Sequence, residues 1–161
     1  MQKRSKSVAM LVVLALTLPS VGATKRTLKG TYISTGPSST VFITAGNFAN
    51  MDTAQTVNCP AVSPATCSFE ADQFVRLQGN AITGNTVLLC FLVDGAAPNG
   101  CPFVGNAPSD ASITVMSDSQ LRTKIAAGSH TVQTQVGLNN ANTAGSMQVY
   151  NFTSNYRVYQ P

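Results

Sequence analysis

No stretch of ten or more residues repeats its apolar positions every three to four places; the chain is cut instead into short β-rich runs by Gly, Pro, Asn and Ser. Side chains alternate across a strand with period two, so this cadence restricts the chain to sheets and turns. "GTYIST" (Gly30 to Thr35) ends at Gly36-Pro37, and "STVFIT" (Ser39 to Thr44) sets Val41 and Ile43 on one face. Phe48 to Val57 fits no single pattern. "TCSFEADQFVRLQG" puts Cys67, Phe69 and Ala71 on one face and Ser68, Glu70 and Asp72 on the other. "TVLLCFLVD" (Thr86 to Asp94) is apolar on both faces, as expected of a central strand covered on both sides.

Further on, "DASITVMS" gives Ile113 and Val115 one parity, and "LRTKI" is expected to turn Leu121, Thr123 and Ile125 inward and Arg122 and Lys124 outward. Gly128 launches "HTVQTQV", in which His130 shares a face with Val132, Thr134 and Val136. The last run, "SMQVYNFTSNYRVYQ", is long enough for one bent or bulged strand, with its parity slipping near Ser154. About eight to ten strands follow, the pattern of an all-β, two-sheet antiparallel β-sandwich of Ig-like or jelly-roll type.

Residues 1–23 read as a signal peptide: Lys3, Arg4 and Lys6 precede an apolar run from Val8 to Leu18, Pro19 breaks it, and Val21-Gly22-Ala23 supplies small residues for cleavage. The run is too short for a spanning helix of about 20 residues. Residues 24–161 then form one domain, with no boundary or internal repeat and no membrane span once the leader is removed. The formal charge of +4 falls with the leader, because seven Lys and Arg then face six Asp and Glu. Those cations are scattered, which disfavours nucleic acid, whose phosphates call for clustered Lys and Arg.

Cys59 and Cys67 bracket a Pro-containing loop, and Cys90 and Cys101 bracket a Gly- and Pro-containing one. An even count in an exported chain points to disulfides, expected as Cys59–Cys67 and Cys90–Cys101. Neither spacing is the tight knuckle of a structural zinc site.

Chemistry is sparse. His130 is the single histidine, so any nucleophile–base pair must pass through it; no G-x-S-x-G elbow is present, and Ser129 points to the opposite strand face. Its parity makes it a partly buried structural residue held by backbone. Glu70 and Asp72 would sit about 6.5–7 Å apart along one strand face, a spacing open to an acid pair but shared by any exposed i, i+2 pair. A calcium site drawing on Asp52, Glu70, Asp72, Asp94 or Asp110 has no supporting ligand spacing. Nucleotide fingerprints are lacking, so no cofactor is expected. Asn151-Phe152-Thr153 matches a glycosylation sequon but falls within an expected strand. Tyr150, Phe152 and Tyr156 share the core parity of the last run, which leaves Tyr159 as the exposed ring available for binding.

Taken together, these residues describe an exported, non-catalytic β-sandwich module, secreted or periplasmic, with a binding or structural role at the cell surface or outside the cell. Recognition of a glycan or protein would use its loops, or edge strands would pair with a partner or another copy. Two alternatives stand beside it. One is a small glycosidase-like hydrolase using Glu70 and Asp72 or His130. The other is an inhibitor presenting the disulfide loop Phe91 to Gly100.

Overall fold

The computed structural model describes residues 26–36, 40–63, 65–80, 85–97, 100–108, 111–139 and 145–161. The leader assigned to residues 1–23 and Asp110 lie outside them. Among the described residues there are ten strands: β1 (Thr27–Gly36), β2 (Val41–Thr44), β3 (Phe48–Asn50), β4 (Gln55–Cys59), β5 (Thr66–Asn80), β6 (Thr86–Val93), β7 (Phe103–Asn106), β8 (Ile113–Ala126), β9 (Gly128–Leu138) and β10 (Ser146–Gln160). All pairings are antiparallel.

Two sheets result. Sheet A runs β1-β10-β5-β8, with β2 also on β10; sheet B runs β3-β9-β6-β7, with β4 also on β9. β1 and β2 lie end to end along β10, and β3 and β4 do the same along β9. Counted as one interrupted strand each, they give the orders 1-8-3-6 and 2-7-4-5, the double Greek key of a jelly roll rather than an Ig-like order. The ambiguous stretch Phe48 to Val57 spans β3, the start of β4 and the interruption between them, where Met51 is buried.

The alternation read in "TCSFEADQF" holds: Cys67, Phe69 and Ala71 face the other sheet and are buried. β6 is buried on both faces, although its outer cover is not another sheet. The Cys90–Cys101 disulfide folds the loop after β6 back toward that face, and Cys90 and Leu92 are buried there. Cys59–Cys67 ties the end of β4 in sheet B to β5 in sheet A.

Two expectations fail. "DASITVMS" and "LRTKI" form one strand, β8; Ile113 and Val115 share a face as read, but the inward parity expected of "LRTKI" is reversed at Leu121 and Arg122. Ile113, Val115 and Leu121 are exposed, while Gln120 and Arg122 are buried at 5% and 6% exposure. A bulge opposite Ser68 inserts an extra residue into β8, and only beyond it does Ile125 pack against the core. In β10 the irregularity falls between Val149 and Asn151, not near Ser154. It turns Tyr150 outward, so Tyr150 leaves the core group while Phe152 and Tyr156 stay in it.

The interior is two apolar clusters with a polar level between them. One contains Val75, Leu89, Val136 and Phe152; the other contains Ala71, Phe91, Val132 and Val158. Between them, one row crosses sheet A in register as Ser34, Ser154, Gln73 and Asp118, facing Thr134 of β9.

Candidate functional site

At that polar level the hydrogen bonds run in one direction. The Arg122 guanidinium donates to Gln120 Oε1 (3.1 Å), and Gln120 Nε2 donates to Gln73 Oε1 (2.9 Å). Gln73 Nε2 donates to Thr134 Oγ1 (2.6 Å), and the Thr134 hydroxyl reaches the Tyr156 oxygen (2.9 Å). The Tyr156 hydroxyl donates to Asp52 Oδ2 (2.6 Å), whose other oxygen accepts the Thr134 amide (3.0 Å). Burial, reinforced by the Asp52 charge, raises the Tyr156 pKa and keeps the phenol a donor.

This row also closes the sandwich. β7 covers the edge of β6 only from Thr86 to Leu88. Beyond it, Gln120 Nε2 donates to Leu89 O (2.9 Å), the Phe91 amide donates to Gln120 Oε1 (3.3 Å), and Arg122 donates to Phe91 O (3.3 Å). Two side chains of sheet A thus act as the missing neighbour strand of sheet B. That is why Gln120 and Arg122 point inward against the expected parity: buried backbone groups must find partners.

His130 lies on the inner parity of β9, as read, and is partly buried. Its Nε2 is 2.9 Å from Ala126 O, and its Nδ1 is 2.7 Å from Asp94 Oδ2. The ring meets Phe69 edge-on at 5.6 Å between centroids. The Asp94 carboxylate raises the His130 pKa, and the backbone bond from Ala126 adds to the shift; the His130 hydrogen bond in turn lowers that of Asp94. Both ring nitrogens face acceptors, so the doubly protonated ring satisfies both. Asp94 also accepts the Thr131 amide through Oδ1 (2.8 Å) and occupies a left-handed turn position (φ 51°) before Gly95. The backbone contact of His130 is legible from parity; Asp94 is not, being 36 residues away.

Glu70 and Asp72 share the outer face of sheet A, as expected, but one guanidinium spans them. Arg157 Nη1 is 2.9 Å from Glu70 Oε1 and 2.5 Å from Asp72 Oδ2, and Ser119 donates to the other Asp72 oxygen (2.8 Å). Asp72 is the main cause of the raised Arg157 pKa. His130 contacts Phe69, on the inner face of the same strand, so Glu70 lies across the sheet from it. The two acids and the histidine do not share a cleft. In the loop of the inhibitor alternative, Phe91 stacks on Tyr156 inside the core and Val93 is buried, both within β6, while Asp94, Gly95, Ala96 and Gly100 are exposed.

Tyr159 is half-buried on the outer face of sheet A, in register with Leu28 and Ser68. It has apolar company there that the sequence reading missed. Ten large hydrophobic residues are exposed among the described residues. Eight of them fall on this face. Leu28 and Ile33 come from β1 and Phe42 from β2; Phe74 comes from β5; Ile113, Val115 and Leu121 come from β8; Tyr150 comes from β10. Sheet B is different: Thr131, Gln133 and Gln135 line the outer face of β9.

Fold and interior together define a disulfide-braced antiparallel jelly roll whose internal polar residues are committed to holding its two sheets. No family model and no curated protein matches the chain. Among solved structures it is similar to a chain of the infectious bursal disease virus Gx strain, with 12% identity, TM-score 0.40, and coverage of 84% of this chain and 31% of the other. It is also similar to a chain of the cyanophage Pam1 capsid asymmetric unit, with 15% identity, TM-score 0.37, and full coverage of both. The chain thus spans about a third of the length of the first. Similarity at this level bears on neither activity nor partners.

Proposed function

We propose that this protein is exported and serves as a non-catalytic β-sandwich module, with a binding or structural role exerted through the outer face of sheet A. The observation that carries this reading is the placement of eight of ten exposed large hydrophobics on that one face. Scattered exposed apolar residues are ordinary, whereas a gathered set marks an interaction surface. Aliphatic rows without Trp suit a protein surface better than a sugar ring. Both edges of sheet A, β1 and β8, are open to a further strand. The occupant most in keeping with this is a second copy, setting the same outer face of its own sheet A against this one.

Export is supported by the leader pattern and by the two disulfides, which fit an oxidising, non-cytoplasmic location. No helix among the described residues is long and apolar enough to cross a membrane. Light scattering after size exclusion tests the reading. The wild-type protein is expected above monomer mass at tens of micromolar, and Ile33→Lys with Phe74→Lys is expected to restore the monomer without unfolding it. A wild-type monomer at every concentration that also fails to bind protein and glycan arrays refutes it.

A further inference from the structure

The bulge in β8 does more than reset parity. Cys67 pairs with Ile125 and Phe69 with Arg122, so Thr123 and Lys124 together stand opposite Ser68. Lys124 takes a left-handed backbone conformation (φ 61°). Such a position favours Gly, and a lysine there holds a strained backbone that persists only where its surroundings fix it. Beside the bulge lies an open cavity of about 200 Å³, lined by Arg26, Thr66, Cys67, Ser68, Thr123, Lys124 and Pro161.

The chemistry of this lining is one-sided. Its side chains contribute two cations and three hydroxyls and no Asp or Glu, and Pro161, the last residue of the sequence, adds a main-chain carboxylate. Neither cation is in an ion pair: those among the described residues join His130 to Asp94 and Arg157 to Glu70 and Asp72. Two cations against one carboxylate, neither cation in an ion pair, beside hydroxyl donors complement an oxyanion. Cys67 is locked to Cys59, so the wall carrying Thr66 and Ser68 is braced before any ligand arrives. The volume is below the usual range of about 300–1,000 Å³ for sites that enclose a whole small molecule. It suits a single charged group and the atoms next to it.

We propose that this cavity is a binding site for a tetrahedral oxyanion, a sulfate or phosphate group, held by Arg26 and Lys124 and oriented by Thr66, Ser68 and Thr123. The site is independent of the outer-face reading and stands or falls without it. Such a group comes either free in solution or carried on a polymer such as a sulfated polysaccharide.

The test is titration of the oxidised protein, followed by amide chemical shifts, with sodium sulfate, sodium phosphate and dextran sulfate. Each is run against sodium chloride at matched ionic strength. Shifts centred on residues 66–68 and 123–124 are expected for at least one oxyanion. Lys124→Gly is the decisive variant, because glycine keeps the left-handed backbone and relieves its strain. It should fold at least as stably as wild type yet bind at least tenfold more weakly, and Arg26→Gln should weaken binding by a similar factor. Tighter binding of dextran sulfate than of sulfate, per charged group, supports a polymer-borne ligand, and equal affinity supports a free one. No saturable shift above the chloride control, or unchanged affinity in Lys124→Gly, overturns the proposal.

Discussion

Gln120→Met tests the reading of the polar level most directly. The replacement is close to isosteric, so it leaves no large cavity, and its effect reports the lost hydrogen bonds. Four buried groups lose a bond to Gln120: the Arg122 guanidinium keeps its bond to Phe91 O, whereas Leu89 O, the Phe91 amide and Gln73 Oε1 lose their partner. A buried backbone or amide group left without a partner costs about 1–3 kcal/mol. The three share one neighbourhood and do not add in full, so the expected loss is about 3–5 kcal/mol. A domain of this size has roughly 5–15 kcal/mol in all.

Urea unfolding gives the total, and amide exchange locates it. The Phe91 amide, now open to water, should exchange faster than those of Val87 and Leu92, which stay within ladders. Ser117→Ala, three residues away on the exposed face, should cost under about 0.5 kcal/mol. A loss below about 1 kcal/mol in Gln120→Met, with the denaturant slope unchanged and Phe91 still protected, would refute the claim that β8 side chains complete sheet B.

Four further outcomes are expected. His130 has a raised pKa in the folded state, so its contribution is full below its ordinary value of 6.5 and is lost as pH rises through the folded value; that of Asp94, lowered from 3.8, is present above 3.8 and is lost as pH falls through its folded value. The pair therefore helps most between roughly pH 4 and 6.5, by under about 1 kcal/mol given the exposure of Asp94, and His130→Ala should flatten the stability difference between pH 5.5 and 8.5. Replacing Cys90 and Cys101 by Ser should cost about 2.5–3 kcal/mol in the loop-entropy account, read from urea midpoints, and should also uncover Leu92. Gly79→Ala should cost at least about 1–3 kcal/mol in the same assay, since its new methyl would meet the Pro108 carbonyl at 1.8 Å. Mass spectrometry of protein recovered outside the cytoplasm should find no free thiol, and four free thiols would undo the argument for an oxidising location.

Much of the sandwich was legible because alternation is a local signal. Phe69 and Ala71, or Val132 and Val136, alternate with polar neighbours and are buried where that alternation places them. The two disulfides were legible for a related reason: each closes a short loop, so partner choice is nearly a matter of distance along the chain. Partners far apart in sequence were not legible. Asp94 beside His130 and Arg157 across Glu70 and Asp72 exist because strands from distant parts of the chain come into register. No local pattern encodes that.

The two misread strands share one cause. Parity reasoning assumes that inward means apolar, and at one level of this sandwich the assumption fails. Ser154 resembled a slip because a hydroxyl stood where a hydrophobe was due, yet it is fully buried in the row with Ser34 and Gln73. Leu121 looked inward because its neighbours Gln120 and Arg122 are polar. What overrides hydrophobicity there is the open edge of β6, whose peptide groups beyond β7 would otherwise be buried without partners. Turning Leu121 inward would bury one more aliphatic side chain, a gain of about 1.5–3 kcal/mol. It would also strand Leu89 O, the Phe91 amide and Phe91 O at about 1–3 kcal/mol each. The second sum is the larger, so the glutamine and the arginine go in. The displaced aliphatic side chains of β8 go out, onto the face where the exposed hydrophobics gather. The apolar face of sheet A is thus in part a consequence of how the opposite sheet is closed.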